Sequence, residues 1–223
     1  MTNSMIGIIP AAGSGVRARP YSYEVHKGLF AIDGKSNIAR IIETMRDDMG
    51  ISEVVIAVGY MADAIRAAFG DGSEMNVKIS YVENQHLDRG WAWSVLLAKP
   101  MLAGRHACIM LSDEFYLNAN FNEFAKSAGD HLVSIAVQKT DDPELIKKNF
   151  SVERDGDRVI RLIENPTVVQ NDLLGMASFI AAPDLFGFLE AAYDAGRPSL
   201  EIVNFLDEKI RDGQSVRAID MTG

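Results

Sequence analysis

The feature that most constrains this chain is an alternation of short, continuously apolar runs with segments of helical period. Ile6 to Pro10, Glu53 to Val58, Val77 to Val82 and His106 to Leu111 read as strands. Between them stand helix-like segments: Asn37 to Met49, with Ile38, Ile41, Ile42 and Met45 on one face, then Ala62 to Phe69 and Trp91 to Leu102. A strand that is apolar throughout must be covered on both faces, and strands separated by helices pair in parallel. The expectation is an α/β, Rossmann-like, doubly wound sheet that is mixed but mostly parallel.

The second half is less regular. His131 to Gln138 and Leu174 to Ala181 read as strands, and Asn149 to Arg154 with Arg158 to Ile163 as a hairpin turning at Asp155-Gly156-Asp157. Helices are expected at Pro183 to Ala195 and Leu200 to Asp212, with a last strand at Ser215 to Asp220. No repeat, linker or low-complexity tract interrupts the 223 residues, and 48% apolar content suffices for one buried core.

Charge narrows the partners. A formal net charge of −9 repels nucleic acid and anionic membranes, and leaves room for a small phosphorylated ligand at a locally basic pocket. The single cysteine, Cys108, lies inside the apolar run Ala107 to Leu111; it permits no internal disulfide and is expected in the core of a protein from a reduced compartment. Met1-Thr2-Asn3-Ser4-Met5 lacks the basic start of a signal peptide, and no apolar run reaches the roughly 20 residues that span a bilayer. The expected location is the cytoplasm.

The strongest chemical signal is Pro10-Ala11-Ala12-Gly13-Ser14-Gly15-Val16-Arg17 directly after the first strand, with Lys27 ten residues beyond Arg17. Glycines there let backbone N–H groups approach phosphate oxygens. Arg17 and Lys27 add fixed positive charge against a triphosphate and the charge that develops on a departing pyrophosphate. The loop is neither a Walker loop, since G-K-[ST] is absent, nor a G-x-G-x-x-G dinucleotide fingerprint.

This stretch resembles the opening signature of the sugar-1-phosphate nucleotidyltransferase superfamily, a strand, A-A-G-x-G-x-R, then a P-K or H-K pair. Here the signature reads Ala11-Ala12-Gly13-Ser14-Gly15-Val16-Arg17 and Val25-His26-Lys27-Gly28-Leu29, and the resemblance runs on through Gly50 to Tyr60 and covers nearly all of the chain. It implies a single domain over 1–223, with a nucleotide-binding half at 1–120 and an acceptor-binding half at 121–223. It implies a magnesium-dependent transfer from a nucleoside triphosphate to a small phosphorylated acceptor, with Arg17, Lys27 and Asp113 as the catalytic set. Ala11, Ala12, Gly13, Ser14, Gly15, Asn84, Gly90 and Ser94 would seat the nucleotide. Asp113, in Ser112-Asp113-Glu114 after an apolar strand, matches the family's first Mg2+-binding aspartate; on context alone it would be a turn or helix cap.

The acceptor side implied by the resemblance comprises Trp91, Glu164, Gly175 and Phe179. Glu164-Asn165-Pro166 stands where many members have E-K-P, so the phosphate-binding lysine is missing and Lys147, Lys148 or Arg161 would have to replace it. Gly175-Met176-Ala177-Ser178-Phe179 looks like the G-I-x-Y-F strand bordering the acceptor, although Phe179 taken alone reads as core. Trp91 and Trp93 point to different faces of one helix turn, so one covers the pocket, where a cationic amino-alcohol would meet its aromatic face. His26-Lys27-Gly28-Leu29, with Asn84, Arg89-Gly90 and Ser94 to Lys99, leans toward the branch that uses CTP.

Family members carry a second metal-binding aspartate in a D-x-D-T-P-E-D-like stretch after the last strand. Asp220 is the candidate to stand in for it; otherwise the stretch is absent or lies beyond the residues given. The four histidines show no zinc spacing and read as non-catalytic, and Asp141-Asp142-Pro143-Glu144 reads as a helix start. Two competing functions remain: a non-catalytic nucleotide or nucleotide-sugar sensor, and a glycosyltransferase using a nucleotide sugar, against which the loop and Lys27 argue. A homo-oligomer is compatible with either half of the chain.

Overall fold

A computed structural model describes residues 5–222. Met1 to Ser4, on which the absence of a signal peptide was argued, lie outside the described residues, as does Gly223. In chain order the elements are β1 (Ile6–Ala11), a two-residue pair β2 (Ala31–Ile32) and β3 (Lys35–Ser36), α1 (Asn37–Asp47), β4 (Glu53–Val58), α2 (Ala62–Phe69), β5 (Lys78–Glu83), α3 (Trp91–Leu96), α4 (Lys99–Leu102) and β6 (Ala107–Met110). The rest comprises α5 (Phe121–Ala125), β7 (Val133–Lys139), α6 (Pro143–Lys147), β8 (Phe150–Asp155), β9 (Arg158–Glu164), β10 (Leu173–Ala181), α7 (Pro183–Asp194), α8 (Ile202–Arg211) and β11 (Val216–Asp220).

One sheet runs through both halves in the order β5-β4-β1-β6-β10-β7-β11-β9-β8. The strands from β5 to β6 are parallel, as their apolar runs require. The insertion of β10 between β6 and β7, antiparallel to both, makes the sheet mixed. The hairpin β8–β9 turns where Gly156, at φ 59°, allows it.

Alternation along β1 fills both layers: Ile6 and Ile8 join the cluster that includes Ala92, Leu185 and Phe205, while Ile9 and Ala11 join the one containing Ile38, Ile41 and Ile65. Helix α1 forms where Ser36 caps it, its side chain accepting from Ala39 N at 3.3 Å, and Ile38, Ile41, Ile42 and Met45 supply an i, i+3, i+4, i+7 stripe. The single helix expected over Trp91 to Leu102 is two short ones. Pro100 has no N–H and its ring clashes with the carbonyl of Leu96, where α3 stops. Among the described residues no helix is long and apolar enough to cross a membrane.

Neighbouring parallel strands β1 and β6 end at Ala11 and Met110, so the glycine loop and Ser112-Asp113-Glu114 leave the sheet side by side at its carboxyl edge. That edge is where open α/β sheets bind ligands.

Candidate phosphate-binding and transfer site

The glycine loop is held from behind and open in front. Ala12 is buried, and its carbonyl accepts the Tyr60 N–H at 2.9 Å. Gly15 adopts φ 62°, a left-handed conformation that costs a glycine nothing, and its carbonyl accepts the Ser22 hydroxyl at 2.8 Å. A side chain at Gly13 would meet no atom within 4 Å, so the loop's outer face is free for a ligand.

Lys27 begins a short turn that His26 caps, its Nδ1 accepting the Gly28 N–H at 3.0 Å. Burial and then the Lys27 charge hold the His26 pKa down, against the opposing carbonyls of Ala11 and Gly13. The ring is therefore a neutral support that aims Lys27, in keeping with its non-catalytic assignment. Lys27 Nζ donates to Asp113 Oδ2 at 2.6 Å, joining residues 86 positions apart. Ser14 to Ala18, Lys27 and Asp113 together line a cleft of about 570 Å³. Arg17, Lys27 and Asp113, the three residues expected to act in transfer, are thus brought together around the loop.

Asp113 suits a hard cation. Mg2+ is ordinarily held by one or two carboxylates with phosphate oxygens completing the shell, and the Asp113 side chain, 37% exposed, lines the cleft. Asp220 is not among the residues that line this cleft. It ends β11, and the residues after it, Met221 and Thr222, line a second cleft together with Phe115 to Ala119 of the segment that follows Asp113. Asp220 Oδ1 accepts from Thr222 N at 3.0 Å and Thr222 Oγ1 at 2.6 Å, and these bonds, with the charges of Arg154 and Lys139, lower its pKa. Among the described residues no three His, Cys, Asp or Glu side chains converge as a metal cluster.

Glu114, one residue beyond Asp113, is a buried anchor that the sequence showed only as a flank. Its Oε1 accepts the Ala177 N–H of β10 at 3.1 Å, and its Oε2 accepts the Tyr116 hydroxyl. Burial pushes its carboxyl up to about 7, with Asp113 adding to the rise and the two hydrogen bonds opposing it. A carboxyl whose folded pKa exceeds its unfolded value favours the fold fully below about pH 4.5, and that contribution drains away as pH rises to about 7. At about 1.4 kcal/mol per pKa unit, Glu114→Gln is expected to exceed the parent in stability by roughly 3 kcal/mol at pH 8. Urea unfolding from pH 4 to pH 8 checks this: the two stabilities should converge on the acid side, and parallel curves would refute it.

The nucleoside residues are placed beside the loop but are spent on each other. Asn84 Nδ2 donates to Ser94 Oγ at 2.8 Å and Asn84 Oδ1 accepts from His86 N at 2.8 Å; both residues are 3% exposed. They shape the segment that would face a base rather than present free groups. Gly90 answers a backbone demand: φ is 80°, and a Cβ would lie 2.5 Å from the Leu200 carbonyl oxygen.

Trp91, Glu164, Gly175 and Phe179 converge on Phe150, a residue the sequence did not single out. Phe150 pairs in register with Gly175 and Glu164, stacks on Phe179 at 6.4 Å, and Phe179 in turn lies 6.0 Å from Trp91. Two of these residues present no side chain to a cleft. Phe179 is 1% exposed and belongs to the core, and a Cβ on Gly175 would lie 1.9 Å from the Phe150 ring. The glycine makes room for that ring. Trp91 and Glu164 are half-buried, and burial and then the Glu201 charge raise the Glu164 carboxyl. Trp93 packs edge-on against Tyr193 at 4.9 Å, with Arg89 3.8 Å above it, and these three side chains line a separate cleft of about 310 Å³. Lys147, Lys148 and Arg161 are absent from the cleft lining, and Lys147 pairs with Glu144 at 2.7 Å.

With this geometry in place, the sequence over residues 6–223 matches the family model described as nucleotidyl transferase. The chain belongs to the nucleotidyl transferase family. A glucose-1-phosphate thymidylyltransferase of Streptomyces griseus is 30% identical over 98% of this chain and 61% of the relative, so the chain spans under two thirds of that protein's length. A UTP–glucose-1-phosphate uridylyltransferase, AglF, of Haloferax volcanii is 26% identical over 98% of the chain and 89% of the relative. A solved Bacillus anthracis structure, classed as a glucose-1-phosphate thymidylyltransferase, aligns with TM-score 0.87 at 18% identity, covering 99% of this chain and 88% of that one. At that identity the likeness shows the nucleotidyl transferase fold, in agreement with the mixed sheet described above.

Proposed function

We propose that the chain transfers a nucleoside monophosphate from a nucleoside triphosphate to a small phosphorylated acceptor of the sugar-1-phosphate kind and releases pyrophosphate. The observation that carries this is the single cleft formed by the glycine loop, Arg17, Lys27 and Asp113. Loop N–H groups and Arg17 would hold the β- and γ-phosphates, and Lys27 would leave Asp113 for the α-phosphate, where charge grows during transfer. A phosphate oxygen of the acceptor attacks the α-phosphorus in line, the bond from α-phosphorus to the bridging oxygen breaks, and the electron pair leaves on pyrophosphate. The attacking phosphate is already ionised at neutral pH, so no general base is needed. Mg2+ held by Asp113 would supply neutralising charge on the triphosphate.

For the donor we favour a pyrimidine nucleotide. The named relatives carry thymidylyl and uridylyl transfer, and His26-Lys27-Gly28-Leu29 resembles the cytidylyl branch, which makes CTP our specific candidate. The acceptor's non-phosphate end would meet Trp91 and Glu164, the two half-buried residues of the acceptor set. Pyrophosphate release with Mg2+, each of four triphosphates, and a pool of hexose-1-phosphates, inositol-1-phosphate, phosphocholine and aminoethylphosphonate tests the proposal. Release with one pair names the substrates; binding of a triphosphate with no release from any pair would favour a sensor.

A further inference from the structure

We propose that Glu114 is a positioning residue, tying the loop that carries Asp113 to an irregular stretch of β10 and so fixing where the Asp113 carboxylate points. Its relevance to a reaction rests on the transfer proposed above; its geometry rests on the hydrogen bonds alone.

The register of β10 against β7 shifts between Gly175 and Phe179. An irregularity of this kind leaves a backbone group without its ladder partner, and a buried N–H so orphaned is costly. Here Ala177 N–H finds its partner in Glu114 Oε1 at 3.1 Å, 63 positions away in sequence. The second oxygen of the same carboxyl accepts the Tyr116 hydroxyl, which also meets Ser178 Oγ at 2.5 Å. Ser178 is completely buried, and the Tyr116 ring packs edge-on against Phe121 at 5.0 Å. One side chain therefore clamps the turn after β6 to the strand that borders the acceptor side.

Asp113 shares a peptide bond with this clamp. Holding Glu114 at both oxygens restricts the backbone torsions that direct Asp113 into the cleft, where its carboxylate meets Lys27 at 2.6 Å. Groups that orient a metal ligand in this indirect way typically alter metal affinity by about 10–100-fold when removed. Neither Tyr116 nor Glu114 lines the phosphate cleft, so loss of the clamp leaves the groups that hold the triphosphate in place.

The test is calorimetric titration of Mg2+ into the full chain bearing an α,β-methylene triphosphate, which cannot react. Glu114→Ala is expected to raise the Mg2+ concentration for half-saturation by roughly tenfold or more, while metal-free binding of the analogue stays within about twofold, because the loop, Arg17 and Lys27 are untouched. Glu114→Gln is expected to restore the parent value, its amide oxygen accepting from Ala177 N–H and its amide nitrogen facing Tyr116. Tyr116→Phe keeps the ring packing, serves if the alanine variant does not fold, and is expected to raise the half-saturation by roughly threefold. A purely structural anchor would lower the melting temperature and leave the metal titration unmoved; parent-like half-saturation in both variants would overturn the proposal. A parent whose analogue binding ignores Mg2+ would instead remove the metal role of Asp113, and the clamp's function with it.

Discussion

Replacing Lys27 with alanine is expected to cut pyrophosphate release by roughly 10²–10³-fold, the usual cost of deleting one group aimed at developing charge. Among the described residues Lys27 is the one cation placed directly on Asp113, and its turn is fixed by the buried His26 cap. The stability cost should be small. The Lys27 and Asp113 side chains are 24% and 37% exposed, and ion pairs of this kind contribute about 1 kcal/mol or less after solvent screening. A melting temperature near the parent's, combined with lost turnover, separates a catalytic role from a structural one. Retained turnover would remove Lys27 from the reaction.

Phe179→Ala is expected to do the opposite. The ring is 1% exposed, stacked on Phe150 and beside Trp91, so its removal leaves a cavity in the larger core cluster. Losses of about 3–5 kcal/mol accompany such changes, and urea unfolding should show one of that size. The KM for acceptor measured on the protein that remains folded should move little. An unchanged unfolding midpoint with a raised KM would return Phe179 to the acceptor pocket that sequence resemblance gave it.

Those two residues show which parts of the molecule can be read from sequence and why. Lys27 and Asp113 were legible because a phosphate site imposes residue types at set positions after strands, and β1 and β6 lie next to each other. The parallel half of the sheet was legible for a similar reason: Val54 to Val58 is apolar at every position, which only a doubly covered strand tolerates. The antiparallel direction of β10 was not, since an apolar run carries no mark of its orientation. Pro100 did announce the break between α3 and α4, but the helical spacing of its neighbours hid it.

Several of the expected site residues make their bonds within the fold, for one reason. Resemblance fixes a residue's place along the chain, whereas contact with ligand depends on what else the fold sets against it. Asn84 and Ser94 bond each other, Gly175 makes room for Phe150, and Asp220 accepts from Thr222. Glu114 escaped notice because its partners, Ala177 and Ser178 by way of Tyr116, come together only once β10 is inserted beside β6.

The most direct test of the transfer site follows phosphorus. A triphosphate labelled once at the α-phosphorus and once at the γ-phosphorus should be incubated with Mg2+, the responsive acceptor, and either parent or Lys27→Ala protein. The site described here predicts α-label joined to the acceptor and γ-label in pyrophosphate with the parent, and neither with the variant. Recovery of γ-label in orthophosphate or on the acceptor, or equal transfer by the variant, would contradict it.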